Sequence, residues 1–168
     1  MVLVGRDGAG PHDLRLMADR GRVYWDAAPS QWYAEPKRLE RLGYLKARKE
    51  PGRTRERTRY TLTAQGRRAL EEWARTPAPL PRAQHETVIR LMAADLVDPA
   101  AVLQGLERLG EEIESALADV ERARDVIAPE LPHRAHLLEV NHRYAERFLN
   151  LQRDWLREAR RVLDSGSS

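Results

Sequence analysis

Between Ser30 and Thr63 the apolar spacing changes from helical to strand-like, and arginine accumulates at the turn between two short strands. The segment reads as a helix from Ser30 to Leu42, closed by Gly43, and then strands at Tyr44 to Lys49 and Arg57 to Thr63 around Pro51-Gly52. Helical spacing turns Trp32, Leu39 and Gly43 inward, with Leu42 alongside. Ser30, Ala34, Lys37 and Arg41 then share the outer face, flanked by Gln31, Tyr33 and Arg38. Arg53, Arg55, Arg57 and Arg59 occupy every second position of the hairpin. A helix able to enter the major groove beside a basic hairpin able to lie on phosphates predicts a winged helix-turn-helix. The expected DNA contacts are Ser30, Gln31, Tyr33, Lys37, Arg38 and Arg41 on the helix and Arg53, Thr54, Arg55 and Arg57 on the wing. Of these, Lys37 or Arg38 suits guanine edges, while Tyr33, Ser30 and the wing arginines suit the backbone.

Pro36 works against that helix. It removes a donor that would reach the Trp32 carbonyl, a cost of about 3 kcal/mol in an ordinary interior, and predicts a kink. Ser30 is the expected N-cap. Upstream, Gly10-Pro11 opens a helix over Pro11 to Asp19 that offers Leu14, Leu16, Met17 and Ala18 for burial. Val23-Tyr24-Trp25 forms a short apolar approach to the next helix. Downstream, Thr63 can cap a helix running through Leu70 and Trp73 toward Thr76.

Thr76-Pro77-Ala78-Pro79-Leu80-Pro81 cannot continue a helix and favours an extended spacer. It sets the expected organisation: a DNA-binding domain over 1–76, a linker over 77–82, a helical dimerisation domain over 83–164 and a disordered tail over 165–168. Charge divides at the same place. Residues 1–82 hold 18 Lys and Arg against 10 Asp and Glu, a balance of +8; residues 83–168 hold 11 against 16, a balance of −5. A basic first half supplies a field that attracts polyanions, and an acidic second half would face away from them.

The second half predicts a short helix from Gln84 to Leu96, with Val88, Leu91, Met92 and Leu96 on one side. A long helix follows, with Asp98 as N-cap and Pro99 at its first position. Val102, Leu106, Leu109, Ile113, Ala116, Val120, Ala123 and Ile127 make a heptad seam, which Pro129 and Pro132 break. From about Arg134 a last helix repeats the spacing with Leu137, Asn141, Tyr144, Phe148, Leu151, Trp155 and Val162. Two such helices are expected to finish their burial against a second copy, through Leu106, Ile113, Val120, Leu137, Tyr144, Phe148, Leu151 and Trp155. The alternative is a monomeric three-helix bundle closed by the Gln84 helix.

The absence of cysteine rules out disulfides and thiol chemistry and fits a reducing compartment. The early charge at Arg6 and Asp7 does not suit a signal peptide, and no apolar run approaches membrane-spanning length, so a cytoplasmic protein without membrane contact is expected. His133, His136 and His142 lie near the start of the last helix, but without Cys or a matched carboxylate motif no metal site is expected. There is no phosphate-binding glycine loop and no activated nucleophile motif, so neither an enzyme nor a cofactor is expected.

The stretch from Pro29 to Leu70 resembles the PadR family of bacterial transcriptional regulators. Ser30, Tyr33, Lys37-Arg38-Leu39, Gly43-Tyr44-Leu45, the basic wing and Arg59-Tyr60-Thr61-Leu62-Thr63-Ala64-Gln65-Gly66 carry the resemblance, together with Gly10-Pro11-His12. The C-terminal half resembles the long helical dimerisation domain of the family's larger, virulence-activator-like branch. The sequence departs from the pattern at Pro36, usually aliphatic, and in a first helix reduced to Met1 through Asp7 with Gly5 inside it. The resemblance implies a homodimeric regulator, repressor in type, that binds double-stranded DNA at an inverted-repeat operator. It also implies a small aromatic effector near the dimer centre, for which Trp73 and Trp155 are the candidate contacts, ahead of Trp25 and Trp32. The rival reading is a coiled-coil interaction protein whose basic hairpin binds an acidic partner or RNA.

Overall fold

Gly10 and Pro11 open the first regular helix, α1 (Pro11–Asp19): the Gly10 N–H donates to the Asp13 carboxylate at 3.0 Å, and Pro11 takes the first helical position. The computed structural model describes residues 1–21, 23, 27–52, 56–81 and 85–166, with the side chains of 127–129 and 166 excepted. It comprises two units, Met1–Leu80 and Pro81–Ser168. Among the described residues no helix is long and apolar enough to cross a membrane.

In the first unit α1 buries Leu14 and Ala18, while Leu16, expected inside, is exposed. Helix α2 (Gln31–Arg41) follows. Ser30 does not cap it: its backbone is already helical (φ −63°, ψ −29°) and its hydroxyl makes no capping bond. The helix continues unbroken through Pro36, whose ring is buried. Pro36 lies one turn from Trp32 and Leu39 on the inner side, so burial there offsets the lost donor. Gly43, at φ 76°, ends α2; its N–H donates to the Glu40 carbonyl and that of Tyr44 to the Leu39 carbonyl, both at 2.9 Å. This is a Schellman closure, which only a residue tolerant of positive φ completes without strain.

Strands β1 (Leu45–Glu50) and β2 (Arg57–Leu62) pair antiparallel, from Leu45 opposite Leu62 to Glu50 opposite Arg57. On the far edge Ala9 and Tyr60 exchange two backbone bonds of 3.0 Å, which brings the N-terminal segment against β2. Gly8 allows this approach, since a β-carbon there would lie 2.6 Å from the Tyr60 carbonyl oxygen. The core consists of Val4, Ala9, Leu14, Leu45 and Tyr60, with Met1, Leu3, Trp32, Leu39, Ala47 and Leu62 packed on it. The reduced first helix is a single 3-10 turn, Val2–Val4, whose Val4 fills part of that core.

Helix α3 (Ala64–Arg75) is tied to the end of α2 by three residues. The Thr63 hydroxyl accepts the Gly66 N–H at 3.0 Å and donates to the Gly43 carbonyl at 2.6 Å; the Gln65 amide donates to the Leu42 carbonyl at 3.3 Å. A β-carbon at Gly66 would meet the Tyr44 carbonyl oxygen at 2.1 Å, so this glycine is a packing requirement.

In the second unit the predicted Gln84–Leu96 helix is shorter and split into α4 (Glu86–Leu91) and a 3-10 turn, Met92–Asp95; position 84 lies outside the described residues. Much of its apolar side is exposed, Met92 by 75% and Leu96 by 82%, while Leu91 is half-buried. Helix α5 (Pro99–Glu130) starts as expected, with the Asp98 carboxylate accepting the Ala100 N–H at 3.0 Å. It runs on through position 129, so Pro129 does not end it. Helix α6 is Ala135–Gly166. Ser165 and Gly166, expected in a disordered tail, form its last turn; 167 and 168 lie outside the described residues.

Val102, Leu106, Ile113, Val120 and Ala123 are buried along the predicted α5 seam, whose last member, Ile127, has an undescribed side chain. On α6 the buried row is His142, Ala145, Leu149, Leu156, Ala159 and Leu163. Five of those six residues each lie one position after a residue of the predicted seam, a rotation of about 100° on a 3.6-residue helix. Leu137, Tyr144, Leu151 and Val162 are exposed, and Phe148 and Trp155 half-buried. Leu106, Ile113 and Val120 are thus corrected from interface positions to core positions of a single chain. Across the pair Arg124 donates to Glu139 and Glu146, each at 3.1 Å, and His142 is buried beside them. Burial, and then the charge of Arg124, push the His142 pKa below its usual value, with Glu139 opposing.

Candidate nucleic-acid interface

The Schellman closure and the Thr63–Gly66 tie orient α2 so that one of its faces looks along the hairpin. Ser30, Tyr33, Ala34, Lys37, Glu40 and Arg41 form one wall of a groove of about 790 Å3, and Ala47, Lys49, Thr58 and Tyr60 form the other. Five of the helix residues are on the outer face or flank expected from the spacing, so the structure brings Ser30, Tyr33, Lys37 and Arg41 together. Tyr60 anchors the floor. Its burial raises the phenol pKa, with a smaller push from Glu40.

The flanking residues Gln31 and Arg38 are exposed but are not among the groove's lining. Arg38 is engaged by Glu35 one turn earlier: its Nε lies 3.0 Å from both carboxylate oxygens, and its Nη2 lies 2.9 Å from Oε2. The bond lowers the Glu35 pKa and raises that of Arg38.

On the hairpin, strand alternation separates the residues into two sets. Leu45, Ala47, Lys49, Thr58, Tyr60 and Leu62 share the side toward α2. Lys46, Arg48, Glu50, Arg57, Arg59 and Thr61 share the opposite side, where Asp7, Lys46, Arg48, Glu50, Arg59 and Thr61 line a second depression. Arg57, expected on DNA, stands opposite Glu50 with 3.7 Å between charged atoms. Arg59 is a clamp: its Nε and Nη2 donate to the Asp7 carbonyl at 3.0 and 2.8 Å. Arg53, Thr54 and Arg55 lie outside the described residues.

Lys49 and Thr58 were missed at the sequence level although the signal was present. Lys49 follows Leu45 and Ala47 at period two, which assigns it to the helix-facing side. Glu35 was also missed; an acid three residues before an arginine on a helix is a pairing signal. Of the effector candidates, Trp73 is 63% exposed on α3 and Trp155 half-buried on α6. Trp25 lies outside the described residues, and Trp32 packs on the core. A cleft of about 830 Å3 between α5 and α6 is lined by Leu103, Gly110, Leu156 and charged side chains, and Trp155 is not among them. His133 precedes α6 and His136 is exposed on its first turn; among the described residues no three His, Asp or Glu side chains gather for a metal ion.

A helix-turn-helix pair with a basic two-stranded wing, followed by a long antiparallel helix pair, defines a winged-helix DNA-binding regulator. Residues 14–72 match the transcriptional regulator PadR-like family, and residues 84–164 match the C-terminal domain of the virulence activator alpha type. Over residues 14–72 the chain is thus similar to the PadR-like family of transcriptional regulators. Solved structures share the fold. A PadR-like regulator of Bacillus cereus superposes with TM-score 0.78 at 16% identity, covering 95% of this chain and 92% of its own. Bacillus subtilis PadR in complex with operator DNA gives 0.74 at 19%, covering 93% and 91%; its complex with p-coumaric acid gives 0.69 at 20%, covering 94% and 91%. The Vibrio cholerae virulence activator AphA gives 0.75 at 22%, covering 98% and 94%. Among curated proteins none matches the sequence.

Proposed function

We propose that this DNA-binding regulator is a cytoplasmic homodimer of repressor type that reads an inverted-repeat operator with two copies of α2. The observation that carries the reading is the groove in which Lys37 and Arg41 of the helix face Lys49 of the hairpin. Three cations around a trough suit a phosphate backbone, and the exposed helix wall can reach base edges. Ser30, Gln31, Tyr33, Lys37, Arg38 and Arg41 are the proposed helix contacts; Arg53, Thr54, Arg55 and Arg57 remain the proposed wing contacts, joined by Lys49 and Thr58. The residues proposed to join two protomers are Leu137, Tyr144, Phe148, Leu151 and Trp155, an α6 row exposed at Leu137, Tyr144 and Leu151 and half-buried at Phe148 and Trp155. Two protomers would set half-sites about 34 Å apart.

A small aromatic effector belongs to the same reading. It is supported by the p-coumaric acid complex of Bacillus subtilis PadR, and Trp73 and Trp155, each within its own unit, are the proposed stacking surfaces.

Selection of bound genomic fragments at several salt concentrations tests the core of the reading. Inverted repeats with steeply salt-dependent affinity are expected; equal binding to RNA hairpins and duplex DNA would overturn it. For the effector, tryptophan fluorescence against a panel of aromatic acids is read beside operator affinity, and one compound is expected to change both.

A further inference from the structure

The Glu35–Arg38 pair sits on the exposed flank of α2, outside the groove and outside the core. A guanidinium has five N–H donors arranged along two usable edges, Nε with Nη2 and Nη1 with Nη2. Glu35 takes the Nε edge: both its oxygens lie 3.0 Å from Nε, and Oε2 lies 2.9 Å from Nη2. What remains is the Nη1–Nη2 edge, a two-donor fork of the geometry that meets guanine O6 and N7.

We propose that Glu35 is a positioning residue for base specificity, a carboxylate brace that holds Arg38 for one guanine in the major groove. The inference rests on the proposed reading of α2 as the recognition helix. Its physical content is a division of roles. An unbraced arginine at this flank has several rotatable bonds and settles on whichever phosphate or base is nearest, which raises affinity without discrimination. Braced, it loses less rotamer freedom on meeting a guanine. The carboxylate also repels phosphates, so it weakens binding to DNA that offers Arg38 no guanine. Lys37, inside the groove, has no such partner within its own turn and suits the backbone as a mobile point charge.

This predicts opposite signs for two measurable quantities. In Glu35→Ala, preference at one operator position falls about tenfold while affinity for unrelated duplex rises several-fold. Glu35→Gln keeps an acceptor oxygen at the same reach without the charge. It is expected to share the rise for unrelated DNA yet retain most of the preference, which a purely electrostatic role would not produce. In the Arg38→Ala background, Glu35→Ala should cause no further loss of preference, because the brace has nothing left to hold.

The experiment is a randomised-operator selection on the full-length protein and on Glu35→Ala, Glu35→Gln, Lys37→Ala, Arg38→Ala and the double variant. Binding to unrelated duplex is titrated alongside. Equal affinity gains on all sequences in Glu35→Ala, with preference unchanged while Arg38→Ala shifts it, would overturn the brace and leave α2 as the reader. If Lys37→Ala and Arg38→Ala also keep the wild-type preference, the reading of α2 fails, and the brace with it.

Discussion

Helices α2 and α6 each keep one row of residues that their own unit does not cover, and the two rows have opposite chemistry. On α2 the row is Ser30, Tyr33, Lys37 and Arg41, polar and cationic, beside the hairpin's Lys49. On α6 it is Leu137, Tyr144, Leu151 and Val162, apolar and exposed, with the Tyr144 and Phe148 rings stacked at a centroid distance of 6.4 Å. Water solvates the first row at no cost, so that row is stable alone and waits for a polyanion. The second exposes contiguous hydrocarbon, each Å2 of which would gain about 25 cal/mol on burial. What a helix leaves over after packing is therefore a description of what it meets next.

The sharpest way to break that comparison is to charge the apolar row. Leu151→Glu combined with Tyr144→Glu should convert the proposed dimer to a monomer and reduce operator affinity at least a hundredfold, since one half-site must then be held alone. Light scattering and operator titration read both. A dimer that survives both charges would assign the row to another partner.

Next in size is the contrast within the helix pair. Leu106→Ala, at a position with 0% exposure, should destabilise the second unit by about 2–5 kcal/mol. Leu137→Ala should change monomer stability by less than about 0.5 kcal/mol, the range of ordinary surface sites. Thermal unfolding of both variants in the monomeric double-charge background separates core row from outer row.

On the hairpin, Arg57 and Arg59 should diverge. Arg59→Ala removes two charge-assisted bonds to the Asp7 carbonyl and should cost stability, about 1–3 kcal/mol, with little change in salt dependence. Arg57→Ala or Lys49→Ala should leave stability near wild type and lower the log–log salt slope by about 1 each. Identical behaviour of Arg57 and Arg59 would mean that the bonds to the Asp7 carbonyl do not set the two arginines apart.

The smallest effect concerns pH. Because burial holds the His142 pKa in the fold below its unfolded value of 6.5, the unfolded chain binds the proton first. The second unit should thus lose stability as pH falls from 6.5 toward the folded pKa, then level off below it. His142→Leu should flatten the profile in a urea titration followed between pH 7.5 and 5.

Much of this architecture was legible beforehand. The helix–hairpin order, the closure at Gly43, the caps at Thr63 and Asp98 and the α5 seam all follow from local rules, because the residues concerned satisfy backbone groups or periodicity within a few positions. Non-local features were less legible. Arg57 and Arg59 are two residues apart and alike in sequence; what separates them is the Asp7 carbonyl, brought to Arg59 across 52 positions by the Ala9–Tyr60 bridge. The Ser30 hydroxyl was misassigned as a cap because the helical backbone begins one residue sooner than the side-chain type suggests.

Sequence alone determined that this chain makes a basic winged helix followed by two long amphipathic helices, since charge, proline placement and heptad spacing are properties of the string itself. Tertiary structure alone decided which of two adjacent apolar rows on α6 faces α5. Tyr144, Phe148 and Trp155 keep heptad spacing just as Ala145, Leu149 and Leu156 do, so spacing alone does not distinguish the rows. The buried row is the one that carries small Ala145 and Ala159, because close approach of two helices requires small side chains between them; the aromatic row is left exposed at Tyr144 and half-buried at Phe148 and Trp155.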